Sequence, residues 1–135
     1  MQTILLIEDN INILENLSEY LEIEGYKILV ANTGRKGIEL AEKYNPDLII
    51  CDVLMAEMDG YEVLHILLET AKTKEIPFIF STSMSEKIDR TESLKLGADD
   101  FIVKPFEMEI LLKMIKELLI SGSKRQNNNV LTIET

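Results

Sequence analysis

The chain has 135 residues, and 24 acidic against 14 basic side chains give it a formal net charge of −10. That length suits one domain with at most a short tail, large enough to fold without a disulfide or metal staple. A single cysteine, Cys51, excludes an intrachain disulfide and a multi-cysteine zinc site, and the negative balance argues against binding nucleic acid or anionic membrane.

In chain order, short β-rich runs alternate with longer helical stretches five times. Thr3–Ile7 is an apolar run of strand length. Asn10 offers an N-cap, and Leu14, Leu17 and Leu21 follow at helical spacing until Gly25. Lys27–Ala31 is the second strand, and Gly34–Tyr44 the second helix, closed by Asn45-Pro46. Asp47–Asp52 is the third and most apolar strand, expected to be buried on both faces. Gly60 marks a turn before a leucine-rich helix over Tyr61–Thr70. Phe78–Thr82 follows Pro77 as the fourth strand, Ser85–Leu96 is a helix ending at Gly97, and Phe101–Val103 is the fifth strand. Phe106–Ile120 is the last helix, with Leu111, Ile115 and Leu118 on one face. Ser121–Thr135 is polar and reads as a tail or linker.

This alternation predicts βαβ units and an α/β fold with a parallel sheet covered on both faces. Five units are too few for an eight-stranded barrel, so a three-layer αβα sandwich is expected. Apolar runs such as Ile4–Ile7 and Leu48–Cys51 fall far short of the ~20 residues of a bilayer helix. Glu8 and Asp9 follow Ile7 with no basic leader, which argues against a secretory signal and for a cytoplasmic protein.

Ligands of open α/β sheets bind beyond the carboxyl ends of the strands. Strand one ends in Glu8-Asp9, strand three in Asp52, strand four in Ser81-Thr82-Ser83 and strand five in Lys104-Pro105. Taken singly, each carboxylate reads equally well as a solvated loop residue, Lys104 more often as a surface lysine, and Ser81, Thr82 and Ser83 more often as capping or turn hydroxyls; the signal is the set. Three carboxylates on one rim repel one another unless a cation sits among them, and an all-oxygen set short of protein ligands favours Mg²⁺ over Ca²⁺.

The same residues carry a resemblance. Glu8-Asp9, CDVLMAEMDG (Cys51–Gly60), IPFIFSTS (Ile76–Ser83) and GADDFIVKPF (Gly97–Phe106) resemble the receiver domain of bacterial two-component response regulators, in the same order and from about Thr3 to Ile120. The resemblance implies a flavodoxin-like (βα)5 fold with strand order 2-1-3-4-5, a receiver domain over residues 1–121, and a tail or linker over 122–135. It implies that Asp52 accepts a phosphoryl group from a histidine kinase or phosphotransfer protein. Asp9 and Asp52 would bind Mg²⁺ directly, Glu8 partly through water, and the backbone carbonyl of Leu54 would be a further ligand. Lys104 would pair with phosphoryl oxygens, Thr82 would be the switch hydroxyl, and Phe101 the aromatic that turns inward on activation. The output would be the surface of the fourth helix, fifth strand and last helix, controlling an effector domain or downstream protein and supporting a phosphorylation-dependent homodimer. Such a domain is not a conventional enzyme, since it catalyses its own phosphorylation and dephosphorylation.

The chain departs from the family pattern at Ala56, where proline is usual, and at Ser83, where alanine is. Leu54 and Met84 are apolar at two positions that govern access of water to the phosphoryl group, which predicts a long-lived phosphorylated state. The fourth helix has the weakest apolar stripe, with Ile88, Leu94 and Leu96 among charged neighbours, and suits a moving part as well as a merely exposed helix.

His65 is expected to be structural, Cys51 a buried strand residue, and Met55 and Met58 loop packing. Lys124-Arg125 is too short a basic run to hold DNA, and Val130–Ile133 is apolar enough to begin a further element. Two other functions compete with the phosphorylated switch. A phospho-independent scaffold of the same fold would be expected to lack at least one of Asp52, Thr82 and Lys104. A flavin-binding electron carrier would want a hydroxyl- and glycine-rich phosphate loop where this chain has Glu8-Asp9-Asn10.

Overall fold

The computed structural model describes residues 1–83 and 94–122. Strands β1 (Thr3–Ile7), β2 (Lys27–Ala31), β3 (Leu48–Asp52), β4 (Phe78–Ser83) and β5 (Asp100–Lys104) form one parallel sheet in the order β2-β1-β3-β4-β5. Helices α1 (Ile11–Ile23), α2 (Gly34–Tyr44), α3 (Gly60–Glu69) and α4 (Met108–Ser121) connect or follow these strands. The architecture is the expected flavodoxin-like sandwich.

Local chemistry sets the helix ends. The Asn10 side chain accepts from the backbone N–H groups of Asn12 at 3.0 Å and Ile13 at 3.2 Å, and Thr33 accepts from Lys36 N at 3.1 Å. Gly25 at φ +101 and Asn45 at φ +47 turn the chain out of α1 and α2 in the left-handed region. Along α1, Leu14, Leu17 and Leu21 are buried, each contributing roughly 1.5–3 kcal/mol by leaving water.

The sheet separates two cores. On one face Ile7, Ile49, Phe78 and Phe80 pack with α2 and α3; on the other Ile4, Leu6, Ile50 and Ile79 pack with α1 and α4. Every residue of β3 is buried, as expected of a central strand covered on both sides.

Several boundaries differ from expectation, among them β4, which runs to Ser83 rather than Thr82, and α3, which spans Gly60–Glu69 rather than Tyr61–Thr70. Asp47 precedes β3 instead of joining it: its carboxylate accepts from Thr3 N and its own N–H donates to Thr3 O, both at 2.8 Å. β5 is longer, because Asp100 and Lys104 remain in register with Ile79 and Ser83. Helix α4 starts two residues later, at Met108, with Glu107 as its N-cap and Phe106 packed against the core. Of the helix predicted over 85–96, only the end is described, with Leu94 and Lys95 helical; Met84, Ile88, Lys124-Arg125 and Val130–Ile133 lie outside the described residues. No described helix is long and apolar enough to cross a membrane.

Candidate functional site

The parallel sheet delivers β1, β3 and β5 to the same rim, so residues distant in sequence converge there. The β1–β2 ladder continues to Glu8, whose N–H donates to Ala31 O at 3.0 Å. Asp52 ends β3 and Lys104 ends β5. Glu8 and Asp52 are each only 5% exposed, while Asp9 is exposed. The Lys104 ammonium donates to Glu8 Oε1 at 2.9 Å and to Asp52 Oδ1 at 3.2 Å. Two buried carboxylates thereby share one cation.

Backbone donors hold the same carboxylates. Asn10 N–H donates to Glu8 Oε2 at 3.1 Å, and Val53 N–H to Asp52 Oδ1 at 3.0 Å. Burial alone pulls the Lys104 ammonium down, but the hydrogen bond to Glu8 and the charges of Asp52 and Glu8 outweigh it, so its pKa lies above the ordinary lysine value.

Glu8, Asp9 and Asp52 each bring a carboxylate oxygen within 4.8 Å of the others. A compact set of hard oxygens around a net negative charge fits a small divalent cation such as Mg²⁺. Glu8 spends one oxygen on Lys104 and the other on Asn10 N–H.

The remaining rim residues take varied positions. Ser81 stands opposite Asp52 in the β3–β4 register, and Ser83 opposite Lys104 in the β4–β5 register. Thr82 is buried, and its hydroxyl donates to the Ser83 carbonyl at 3.4 Å. Phe101 stands opposite Phe80, two residues before Thr82 on the same face of the sheet, and is half-buried against the α2–α3 core. Leu54 is 60% exposed in the loop after β3. Met55 and Met58 pack against the core as expected.

Cys51 is fully buried, and burial followed by the charges of Asp52, Glu8 and Asp59 raises its thiol pKa well above the usual value, so it remains a protonated strand residue. His65, expected to be structural, is exposed on α3, with Nε2 3.0 Å from Glu69 Oε1 one turn on. Two features escape a sequence reading. Gly60 lies against the backbone of Asp52, and Asp99, fully buried, anchors the approach to β5 by accepting from Phe78 N at 2.8 Å.

A family model described as the response regulator receiver domain matches residues 4–116. The chain is 35% identical over 128 residues to a probable transcriptional regulator ycf27 of Porphyridium aerugineum, covering 95% of this chain and 52% of that one. It is 37% identical over 129 residues to a CpxR homolog, a transcriptional regulatory protein of Haemophilus influenzae, covering 95% and 55%. The chain thus spans about half the length of these curated relatives. Among solved structures, the signal receiver domain of a signal transduction histidine kinase from Syntrophus aciditrophicus superposes with a TM-score of 0.82 at 39% identity, covering 90% of this chain and 92% of that one.

Proposed function

The chain belongs to the response regulator receiver family, and on that premise we propose that it is a phosphorylation switch whose acceptor is Asp52. The observation that carries this reading is the single ammonium of Lys104 bridging Glu8 and Asp52 beside a three-carboxylate cluster. In the reaction, a carboxylate oxygen of Asp52 attacks the phosphorus of a phosphohistidine on a histidine kinase or phosphotransfer protein. The P–N bond breaks, the imidazole leaves with its electron pair and takes up a proton, and an aspartyl phosphate remains. Water later attacks that phosphorus, returning the carboxylate and releasing phosphate.

Glu8, Asp9 and Asp52, with the Leu54 carbonyl, are the residues that would hold Mg²⁺, which supplies charge neutralisation for the transferring group. Lys104 exchanges its bond to Asp52 for one to a phosphoryl oxygen and stabilises the equatorial charge of the transition state. The product adds roughly −1.5 to −2 charge by analogy with other phosphorylated side chains. Thr82 then turns its hydroxyl from the Ser83 carbonyl to the phosphoryl group, and Phe101, on the same face of the sheet, moves into the space it leaves. That carries the signal to the surface of residues 85–96, β5 and α4, which controls an effector domain or a second copy of the chain. Residues 1–121 form the receiver, 122–135 a tail or linker, and the setting is the cytoplasm.

The test is intact mass after incubation with acetyl phosphate, with and without Mg²⁺, on the wild type and Asp52→Asn. One phosphoryl adduct that requires both Mg²⁺ and Asp52 is expected. Its absence from a folded protein under every condition would replace this reading with a phospho-independent scaffold.

A further inference from the structure

Helix α3 begins directly on the backbone of Asp52. A Cβ at Gly60 would stand 2.3 Å from the Asp52 carbonyl oxygen and 3.0 Å from Val53 Cα, and these are backbone atoms that no change of rotamer moves aside. Gly60 does not have a positive φ, so its backbone conformation does not itself require glycine. What it requires is room.

That close approach is held from several sides. Gly60 N–H donates to Val53 O at 2.7 Å, and Asp59 caps the helix by accepting from Glu62 N at 2.9 Å. The Val53 N–H, in the peptide whose carbonyl oxygen touches Gly60, points at Asp52 Oδ1 at 3.0 Å and at Ser81 O at 3.2 Å. The Asp52–Val53 peptide is therefore clamped between α3 and β4, and the N–H of that peptide orients the carboxylate that Lys104 also holds.

We propose that Gly60 is a positioning residue for phosphoryl transfer: its missing side chain lets α3 set the Asp52–Val53 peptide, and through the Val53 N–H the aim of the Asp52 carboxylate. The proposal rests on Asp52 being the acceptor. A side chain at residue 60 pushes the peptide away, tilts the carboxylate and slows the chemical step without weakening capture of the phosphodonor.

The experiment compares the wild type, Gly60→Ala and Leu118→Ala, a buried change in α4 that loosens the opposite core away from the rim. Two quantities are read: the Val53 amide proton resonance in ¹⁵N-labelled protein, and the phosphorylation rate against acetyl phosphate concentration with Mg²⁺. Gly60→Ala is expected to move the Val53 amide upfield and lower the maximal rate by roughly ten- to a hundredfold, with the half-saturating donor concentration nearly unchanged. Leu118→Ala should lower Tm and change neither quantity. An unmoved Val53 amide in folded Gly60→Ala, or an equal loss of rate in Leu118→Ala at equal folded fraction, overturns the proposal. If Gly60→Ala does not fold, Asp59→Ala releases the first turn of α3 without adding a Cβ, and an unmoved Val53 amide there is equally fatal. Should the wild type itself take no phosphoryl group, the acceptor reading fails, while the amide comparison still decides whether Gly60 sets the Asp52–Val53 peptide.

Discussion

Lys104 and Glu8 are 96 residues apart in sequence, yet their side chains meet at 2.9 Å across the rim of the sheet. Because the same ammonium also reaches Asp52, Lys104 acts in the resting protein as the counter-ion of the acidic cluster. A divalent ion entering that cluster competes with it for the carboxylates.

Lys104→Met tests that competition. Removing one partner of a fully buried ion pair costs about 3–5 kcal/mol, but Lys104 is only partly buried, so a loss of roughly 1–3 kcal/mol is expected in the absence of Mg²⁺. Affinity for Mg²⁺ should rise by about tenfold, since roughly 1.4 kcal/mol is a fair value for deleting a nearby positive charge at a site part-way to solvent. Calorimetric titration reads the affinity and urea unfolding the stability. A variant that binds Mg²⁺ more weakly than the wild type would show that Lys104 supports the ion instead of competing with it.

The pH dependence has a definite sign. The pKa of Lys104 is raised in the fold by its carboxylate partners, so its contribution is complete below the unfolded value of about 10.4 and is lost as pH rises through the higher folded value. The difference in unfolding free energy between wild type and Lys104→Met should hold steady from pH 8 to about 10 and close only above that. Closure already below about pH 9 would mean that the ammonium is not held by the two carboxylates.

Much of this could be read from residue order, for physical reasons. Asn10, Gly25, Asn45 and Pro77 act over a few residues, so capping and turn chemistry locates the elements they bound. The unbroken apolar run of β3 reports its burial on both faces, and parallel strands then bring Glu8, Asp52 and Lys104 to one rim. Contacts that exist only after packing were not legible. Asp47 pins the start of β1 instead of extending β3, His65 faces solvent because α3 buries Val63, Leu64 and Leu67 instead, and Gly60 reads as a turn until its distance to the Asp52 carbonyl is known. The strand order itself came from family resemblance, since alternation alone leaves several doubly wound orders open.

Glu57, in the loop between β3 and α3, lies at φ +68. A non-glycine residue in the left-handed region is disfavoured by about 1–2 kcal/mol, part of which glycine returns through the greater entropy of its unfolded chain. Glu57→Gly is therefore expected to stabilise the protein by roughly 0.5–1 kcal/mol. The urea midpoint should rise with the m-value unchanged. A lower midpoint would mean that the Glu57 side chain makes a contribution larger than its backbone cost.

On the proposed function, Leu54 is expected to bear on how long the phosphorylated state lasts. Its side chain is 60% exposed in the loop two residues beyond Asp52. An apolar group there offers an attacking water no hydrogen-bond partner, whereas an amide would hold and orient one for attack in line with the acyl oxygen. Leu54→Asn should accelerate autodephosphorylation by about tenfold, or roughly 1.4 kcal/mol of barrier. The rate of phosphorylation by acetyl phosphate should change much less, because the proposed nucleophile in that direction is Asp52 and no water takes part. Release of phosphate from pre-phosphorylated protein, followed by ³¹P resonance, measures the first rate, and appearance of the adduct by mass measures the second. Equal changes in both directions would place Leu54 in support of the acceptor's geometry, and its role in excluding water would be lost.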